Sequence, residues 1–176
     1  MKNAIISECF DKSIDNLAKD VVKLIVSRNL TVATAESCTG GLISELITSV
    51  SGASSVFELG ICTYANRMKT KFLDVPEEEL VKFGAVSGEV ALSMVRGLKN
   101  CSGADVCVSV TGIAGPNGGT AEKPVGTVWL GFSICGIEFT ELLPLWRLPN
   151  GSRDDIRQAA AKCAFAIILK VLLEEV

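Results

Sequence analysis

Stretches with helical periodicity alternate along this chain with short apolar stretches that are typical of strands. Apolar residues recur at helical spacing over residues 10–29, whereas "LTVATAE" carries the small and β-branched residues of a buried strand. The alternation continues to about residue 112, where two strand-like stretches, "TVWLGFSI" and "IEFTELLPLW", predict a hairpin before a C-terminal helix. This order predicts an α/β fold, a three-layer α/β/α domain around a mixed β-sheet.

Residues suited to helix ends mark several of the predicted boundaries. Asn29 suits the end of the first helix and Pro76 the start of another, while Ser87 and Ser152 precede two helices as N-caps. The chain of 176 residues is long enough for one sizeable core and shows no repeat or linker. Residues 1–176 are therefore predicted to form a single domain with an N-terminal helix at about 10–29. The other predicted helices cover 41–50, 66–73, 75–84, 87–100 and 152–176, and the other strands cover 56–65 and 104–112.

Composition narrows the possible partners and location. The formal net charge of −3 and pI near 5.1 disfavour a nucleic-acid partner. Acidic residues interrupt the N-terminal apolar run and Lys170 interrupts the C-terminal one, so we expect neither a signal peptide nor a membrane partner. Seven cysteines without a C-x-x-C pair, most of them within apolar runs, indicate a reduced cytoplasmic protein.

The chain contains no histidine. This excludes Ser-His-Asp and Cys-His catalysis within the chain and removes the commonest ligand of catalytic zinc. We expect neither a metal nor a cofactor. A nucleophilic serine or cysteine here must give its proton to another kind of side chain.

Two side chains able to act as nucleophiles, Ser37 and Cys38, lie in "TAESCTGG", where a predicted strand meets a predicted helix. Ligands bind beyond the carboxyl ends of strands in open α/β sheets, and N–H groups at a helix start can hold a phosphate or an oxyanion. The residues that follow are candidate binding residues because they allow close approach of a ligand; these are Thr39, Gly40 and Gly41. The structural alternative is a capped turn whose glycines serve packing.

Lys69 is the natural proton acceptor for such a serine, and it lies in "TYANRMK" together with the only tyrosine, Tyr64. An ordinary lysine has a pKa of about 10.4, so lowering it by roughly 3 units to reach neutral pH costs about 4 kcal/mol. Burial, or repulsion from Arg67 and Lys71, could supply that energy. The structural alternative is that all three cations form the solvated face of a helix.

The stretch "VTGIAGPNGGTAEKPVG", residues 110–126, predicts a strand end followed by a glycine-rich loop. Such loops can wrap a phosphate or a ribose, although this one lacks the Walker spacing. Its candidate residues are Thr111, Gly112, Gly115, Gly118 and Gly119.

Arg153 stands near the start of the C-terminal helix, four residues before Arg157. A guanidinium group there can bind a phosphate with two hydrogen bonds. The structural alternative is an ion pair with Asp154, Asp155 or another acid.

Four stretches resemble, in this order, motifs of the CinA C-terminal domain family. They are "AESCTGG", "TYANRMK", "GAVSGEVALSM" and "VSVTGIAGPNGGTAEKPVGTV", and the resemblance covers about Thr31 to Lys170. Stand-alone members of that family are bacterial nicotinamide-nucleotide amidases, which convert nicotinamide mononucleotide to nicotinate mononucleotide and ammonia. The resemblance implies this activity, an α/β/α fold and a homo-oligomer.

Within the resemblance, Ser37 falls on the family's nucleophile, and Lys69 and Tyr64 fall on the residues that activate it. Thr111 falls on the threonine of the motif V-T-G-I-A-G-P. Cys38 remains the rival nucleophile. The chain departs from the family pattern at Ala65, where many members have serine, and at Ser152, where many have aspartate.

Two other functions remain open at this point. A non-catalytic nucleotide-binding or regulatory domain would keep the pocket without turnover. DNA binding is suggested only by the family's name, and the acidic balance of the chain argues against it.

Overall fold

The computed structural model describes residues 12–148 and 151–174. The first two positions of the predicted N-terminal helix, 10 and 11, and the last two of the C-terminal helix, 175 and 176, lie outside the described residues. The described helices and strands, in chain order, are α1 (Ile14–Ser27), β1 (Val32–Glu36), α2 (Leu42–Thr48), β2 (Phe57–Cys62), α3 (Asn66–Leu73), α4 (Glu77–Phe83), α5 (Gly88–Ser102), β3 (Val106–Gly112), β4 (Thr127–Ile134), β5 (Ile137–Pro144) and α6 (Arg153–Glu174).

The strands form one mixed sheet in the order β2-β1-β3-β4-β5. β1 pairs in parallel with both β2 and β3, whereas β4 pairs antiparallel with β3 and β5. The β4–β5 hairpin turns at Cys135 and Gly136, whose φ angles of 48° and 90° are left-handed. The predicted α/β/α fold, mixed sheet and hairpin are therefore confirmed.

Helices cover both faces of the sheet. Because side chains alternate along each strand, successive residues of a strand pack against helices on opposite faces. On one side α1, α2 and α6 pack on a large apolar core that includes Val108 of β3 and Phe132 of β4; we call this the α6 face. On the other side α3 and α5 pack on a smaller core that includes Ala33 and Ala35 of β1; we call this the α5 face. The sheet thus separates two cores of unequal size.

α3 and α5 approach each other most closely at Gly97. A β-carbon at this position would overlap the carbonyl group of Leu73, the last residue of α3. Because the obstacle is backbone, it cannot move aside as a side chain could. Glycine at residue 97 therefore fixes the spacing between these two helices.

Most element boundaries agree with the sequence prediction. Ser87 caps α5 by accepting a hydrogen bond from the Val90 N–H (3.3 Å), and Ser152 accepts one from the Asp155 N–H (3.2 Å) at the start of α6. β2 ends three residues earlier than predicted, at Cys62, because the next two carbonyl groups turn away from the sheet edge toward a buried ammonium group. Within the described ranges, no helix is both long and apolar enough to cross a membrane.

Candidate active site

Ser37 directly follows β1, and the alternation along that strand decides where its side chain points. Ala33 and Ala35 face α5, so Ser37 faces the same side. Glu36, which lies between Ala35 and Ser37 in the chain, faces α2. Ser37 is only 9% exposed. The Ser37 hydroxyl group therefore lies at the carboxyl end of the central strand β1, on the α5 face of the sheet.

Lys69, on α3, brings its ammonium group to this hydroxyl. The Nζ atom lies 3.1 Å from Ser37 Oγ and also donates to the carbonyl groups of Thr63 (2.7 Å) and Tyr64 (3.4 Å). Lys69 is 1% exposed, whereas Arg67 and Lys71 on the same helix are exposed. The three cations therefore do not share one solvated face.

Burial lowers the pKa of Lys69 below its ordinary value of 10.5, because desolvation disfavours the charged ammonium form. The nearby thiols of Cys38 and Cys62 act in the opposite direction. Repulsion from Arg67 and Lys71, the other cause considered from the sequence, is not among the causes of this shift. Lys69 thus lies within hydrogen-bonding distance of Ser37 Oγ and has a pKa below its ordinary value.

Cys38, the rival nucleophile, is packed into the core of the α6 face. Burial raises the pKa of its thiol to about 12, with a smaller contribution from the Glu36 carboxylate. A thiol with this pKa is almost entirely protonated near neutral pH, and the thiolate is the nucleophilic form. The environment of the two neighbouring residues therefore favours Ser37.

Glu36 is a buried carboxylate that sequence reasoning did not single out. Its Oε1 atom accepts hydrogen bonds from the N–H and Oγ of Ser44 (both 2.8 Å), and its Oε2 atom accepts from the N–H groups of Gly41 (3.0 Å) and Ile43 (3.1 Å). These N–H groups at the start of α2 have no carbonyl partner within the helix, and an anion is stabilised at this position. The chain's own carboxylate thus fills the position where the sequence predicted a substrate anion.

The predicted role of the turn after Ser37 is corrected accordingly. The Gly41 N–H donates to Glu36, and the Gly40 N–H donates to the carbonyl of Ser37 (3.0 Å). The carbonyl of Thr39 accepts two hydrogen bonds from Arg157 on α6 (3.1 and 2.9 Å). None of Thr39, Gly40 and Gly41 lines the pocket beside Ser37.

That pocket has a volume of about 280 Å³ and lies where the ends of β1 and β3 meet α3 and the glycine-rich loop. No aspartate or glutamate lines it. The predicted residues that line it are Ser37, Cys38, Tyr64, Lys69, Thr111, Gly112, Gly115, Gly118 and Arg153, whereas Gly119 does not. Six further lining residues were not singled out from the sequence, although all of them lie inside the quoted motifs, which was the available signal: Asn66, Ala85, Val86, Ile113, Ala114 and Asn117.

Arg153 reaches across the pocket rather than pairing with its acidic neighbours. Its Nη1 atom donates to the carbonyl of Gly115 (2.7 Å) and its Nη2 atom to the hydroxyl of Tyr64 (2.9 Å). Asp154 pairs instead with Arg157 (3.1 Å). The partners of the Arg153 guanidinium are therefore neutral oxygens, and no carboxylate of residues 12–148 or 151–174 forms an ion pair with it.

Tyr64 contacts Lys69 only through its backbone. The Tyr64 carbonyl accepts from Lys69, whereas its phenol accepts from Arg153, and the side chain is 59% exposed. The phenol thus forms its hydrogen bond with Arg153 rather than with Ser37 or Lys69. Tyr64 orients Lys69 through a carbonyl group, and a proton relay through its hydroxyl has no support in these contacts.

The remaining wall of the pocket is tied to the glycine-rich loop. Thr111 donates its hydroxyl to the carbonyl of Ala85 (2.7 Å), and Lys123 donates to the carbonyls of Phe83 (2.7 Å) and Val86 (2.8 Å). These bonds hold the connection between α4 and α5 against the loop. Among the described residues, no group of three or more cysteine, aspartate or glutamate side chains is arranged to hold a metal ion.

Comparisons with known proteins agree with the resemblance found in the motifs. Residues 14–172 match the CinA C-terminal domain. A CinA-like protein of Desulfotalea psychrophila is 43% identical over 176 residues, which cover 100% of this chain and 42% of that protein. A CinA-like protein of Akkermansia muciniphila is 49% identical over 161 residues, covering 91% of this chain and 38% of that protein. The chain thus spans about two fifths of the length of these relatives.

Solved structures extend the likeness to the whole fold. The competence/damage inducible protein CihA from Agrobacterium tumefaciens superposes with a TM-score of 0.85 at 41% identity, covering 92% of this chain and 96% of that one. The competence damage-inducible protein A (ComA) from Klebsiella pneumoniae gives a TM-score of 0.87 at 27% identity, covering 94% and 100%. Both are named as competence- or damage-inducible proteins.

Proposed function

Since this chain belongs to the CinA C-terminal domain family, we propose that it hydrolyses the carboxamide of nicotinamide mononucleotide to nicotinate mononucleotide and ammonia. The observation that carries the proposal is the 3.1 Å contact between Lys69 Nζ and Ser37 Oγ at the wall of a pocket. A buried lysine with a lowered pKa is the group that can activate a serine in a chain without histidine.

In the first half of the reaction, Ser37 Oγ attacks the carboxamide carbon while its proton passes to Lys69 Nζ. The carbonyls of Thr63 and Tyr64 hold Lys69 in position, since each accepts a hydrogen bond from Nζ. The tetrahedral intermediate then breaks its C–N bond, and Lys69 returns the proton to the departing nitrogen. Ammonia leaves, and the nicotinoyl group remains on Ser37 as an ester.

In the second half, water attacks this ester and Lys69 accepts the proton of the water. The C–O bond to Ser37 then breaks, and the proton returns to Ser37 Oγ. Nicotinate mononucleotide is released and the free enzyme is restored. One water is consumed and one ammonia is formed in each cycle.

We assign stabilisation of the oxyanion to the N–H of Cys38, because the residue after a nucleophile at a strand-to-helix turn is suited to this role. The N–H groups of Gly40 and Gly41 are already used within the turn. Loss of one oxyanion donor typically costs about 10²–10³ in rate.

We assign the substrate phosphate to Arg153 and the glycine-rich loop. Arg153 lines the pocket with neutral partners only, and no carboxylate lines the pocket to repel an anion. A guanidinium group in such a setting can bind a phosphate through charge-assisted hydrogen bonds.

The test is ammonia release from nicotinamide mononucleotide by the wild type, Ser37→Ala and Lys69→Ala, with folding checked by circular dichroism. Loss of activity in both folded variants supports the serine–lysine mechanism. Full activity in Ser37→Ala would overturn the nucleophile assignment. Binding of the nucleotide without ammonia release by the wild type would favour a non-catalytic nucleotide-binding domain.

A further inference from the structure

Tyr64 lies between the two cations of the pocket and contacts both. Its carbonyl accepts a hydrogen bond from Lys69 Nζ (3.4 Å), and its phenol accepts one from Arg153 Nη2 (2.9 Å). Tyr64 and Arg153 are both exposed and both line the pocket. The bond between their side chains thus closes part of the pocket on its solvent side.

The two hydrogen bonds of Arg153 differ in how easily they can be exchanged. Nη1 is held by the carbonyl of Gly115 (2.7 Å), which is part of the loop backbone. Nη2 is held by a phenol on a side chain that is 59% exposed and can rotate into solvent. A ligand that competes for Arg153 therefore displaces Tyr64 first.

We propose that the Tyr64 phenol is a displaceable occupant of Arg153, which makes Tyr64 a specificity-determining residue for ligands that carry an anionic group. A phosphomonoester replaces the neutral phenol oxygen with an anionic oxygen, so that both partners of the hydrogen bond with Arg153 are charged. A nucleoside without a phosphate offers no anionic oxygen to Arg153, so the Tyr64–Arg153 hydrogen bond stays formed in its presence. This inference rests on the proposed function only in taking the anion to be the phosphate of the substrate.

The first experiment uses the fact that Tyr64 is the only tyrosine in the chain. Incorporation of 3-fluorotyrosine gives a single fluorine reporter, and the Ser37→Ala background prevents turnover. We expect inorganic phosphate and nicotinamide mononucleotide each to shift the fluorine NMR resonance, whereas nicotinamide riboside, the matched ligand without the phosphate, leaves it in place. In Ser37→Ala with Arg153→Gln, phosphate should no longer move the resonance.

The second experiment measures binding by calorimetry in Ser37→Ala with and without Tyr64→Phe. Removing the phenol removes the competitor, so we expect nicotinamide mononucleotide to bind about three- to tenfold more tightly, as the loss of one net hydrogen bond predicts. Binding of nicotinamide riboside should stay within about twofold. Weaker binding of the mononucleotide in Tyr64→Phe would make Tyr64 a direct ligand of the substrate and would overturn the proposal.

An unchanged fluorine resonance at saturating phosphate would also overturn it. The outcomes separate this inference from the proposed function. If phosphate shifts the fluorine resonance but the wild type releases no ammonia, displacement of Tyr64 from Arg153 is supported and the amidase activity is rejected. If the wild type releases ammonia but no ligand shifts the resonance, the amidase activity is supported and the displacement of Tyr64 is rejected.

Discussion

The two faces of the sheet carry different kinds of buried side chain. The core of the α6 face is large and apolar and joins three helices to the sheet, and its buried charged group is the Glu36 carboxylate at the start of α2. The α5 face has a smaller apolar core, and buried polar groups lie beside it, among them Ser37, Lys69 and Thr111. The hydroxyl and the ammonium group meet on this second face.

The difference is sharpest between Ser37 and Cys38, which are neighbours in the chain. Ser37 faces the α5 side and contacts Lys69, whereas Cys38 belongs to the core of the α6 face, where burial raises its thiol pKa to about 12. One face therefore supplies most of the apolar packing, and the other provides a lysine whose pKa is lowered by burial. Substitutions at five residues test this division.

Ser37→Ala and Cys38→Ala give the largest expected contrast. We expect Ser37→Ala to lower kcat for ammonia release by about 10⁴-fold or more, since it removes the group to which the acyl intermediate is bound. Cys38→Ala should keep kcat within about threefold and lower the free energy of unfolding by about 1 kcal/mol. Ammonia release and urea unfolding measure the two effects. A large loss of activity in a well-folded Cys38→Ala would place the nucleophile on the other face.

Lys69→Met should lower kcat by about 10²–10⁴-fold, the usual contribution of a general base. It should also change how stability depends on pH. Because burial lowers the pKa of Lys69 in the folded state, the unfolded chain binds more protons between that pKa and 10.5. The free energy of unfolding of the wild type should therefore rise with pH across this window.

The control is urea unfolding of wild type and Lys69→Met over the same pH range. In Lys69→Met the rise of the free energy of unfolding with pH should be absent. In the wild type, kcat/KM should increase with pH as Lys69 becomes neutral, with a midpoint below 10.5. A rate that falls over this range would mean that the charged lysine is the active form.

Glu36→Gln should reduce the free energy of unfolding by about 2–3 kcal/mol. The substitution turns an acceptor oxygen into an NH₂ group that faces N–H donors at the start of α2, and it removes a charge-assisted cap. Urea unfolding measures the loss, and Glu36→Ala should cost more. A loss below about 0.5 kcal/mol would show that the four hydrogen bonds contribute little net stability.

Ser87→Ala is the corresponding change on the α5 face and should have the smallest effect. Its hydroxyl accepts one N–H, that of Val90, and donates to the carbonyl of Gly84 (2.9 Å). We expect a loss of about 1 kcal/mol, typical of a serine N-cap. Thermal unfolding is sufficient to measure it, and Ser87→Thr, which keeps the hydroxyl, should restore most of the stability.

Local patterns in the sequence predicted the elements well, since caps, turns and periodicity act over a few residues. The helix over 66–73 and the strand over 127–134 agree with the structure at both ends. The burial of Lys69 could not be predicted in this way. Arg67 and Lys71 give the same local pattern, and the packing of α3 against α5 and β1 decides which cation is inside.

The contacts of Arg153 also could not be predicted from local patterns. From the sequence, Arg153 was expected to pair with a nearby acid or to bind a ligand. In the structure it pairs with Gly115 and Tyr64, which are 38 and 89 residues away in the chain. The role of Glu36 was missed for a local reason. Its carboxylate reaches N–H groups that were considered only as donors to a substrate.

Gly97 has a consequence for any attempt to reshape the pocket. Lys69 lies on α3, and the backbone of α3 already touches α5 where Gly97 lacks a side chain. Substitutions cannot bring α3 and α5 closer together, because their backbones are already in contact at this point. A methyl group at residue 97 would push α3 away from α5, and Lys69 would move with it. The position of the Lys69 ammonium group therefore depends on the C-terminal end of α3, where it meets a residue of α5 that does not line the pocket.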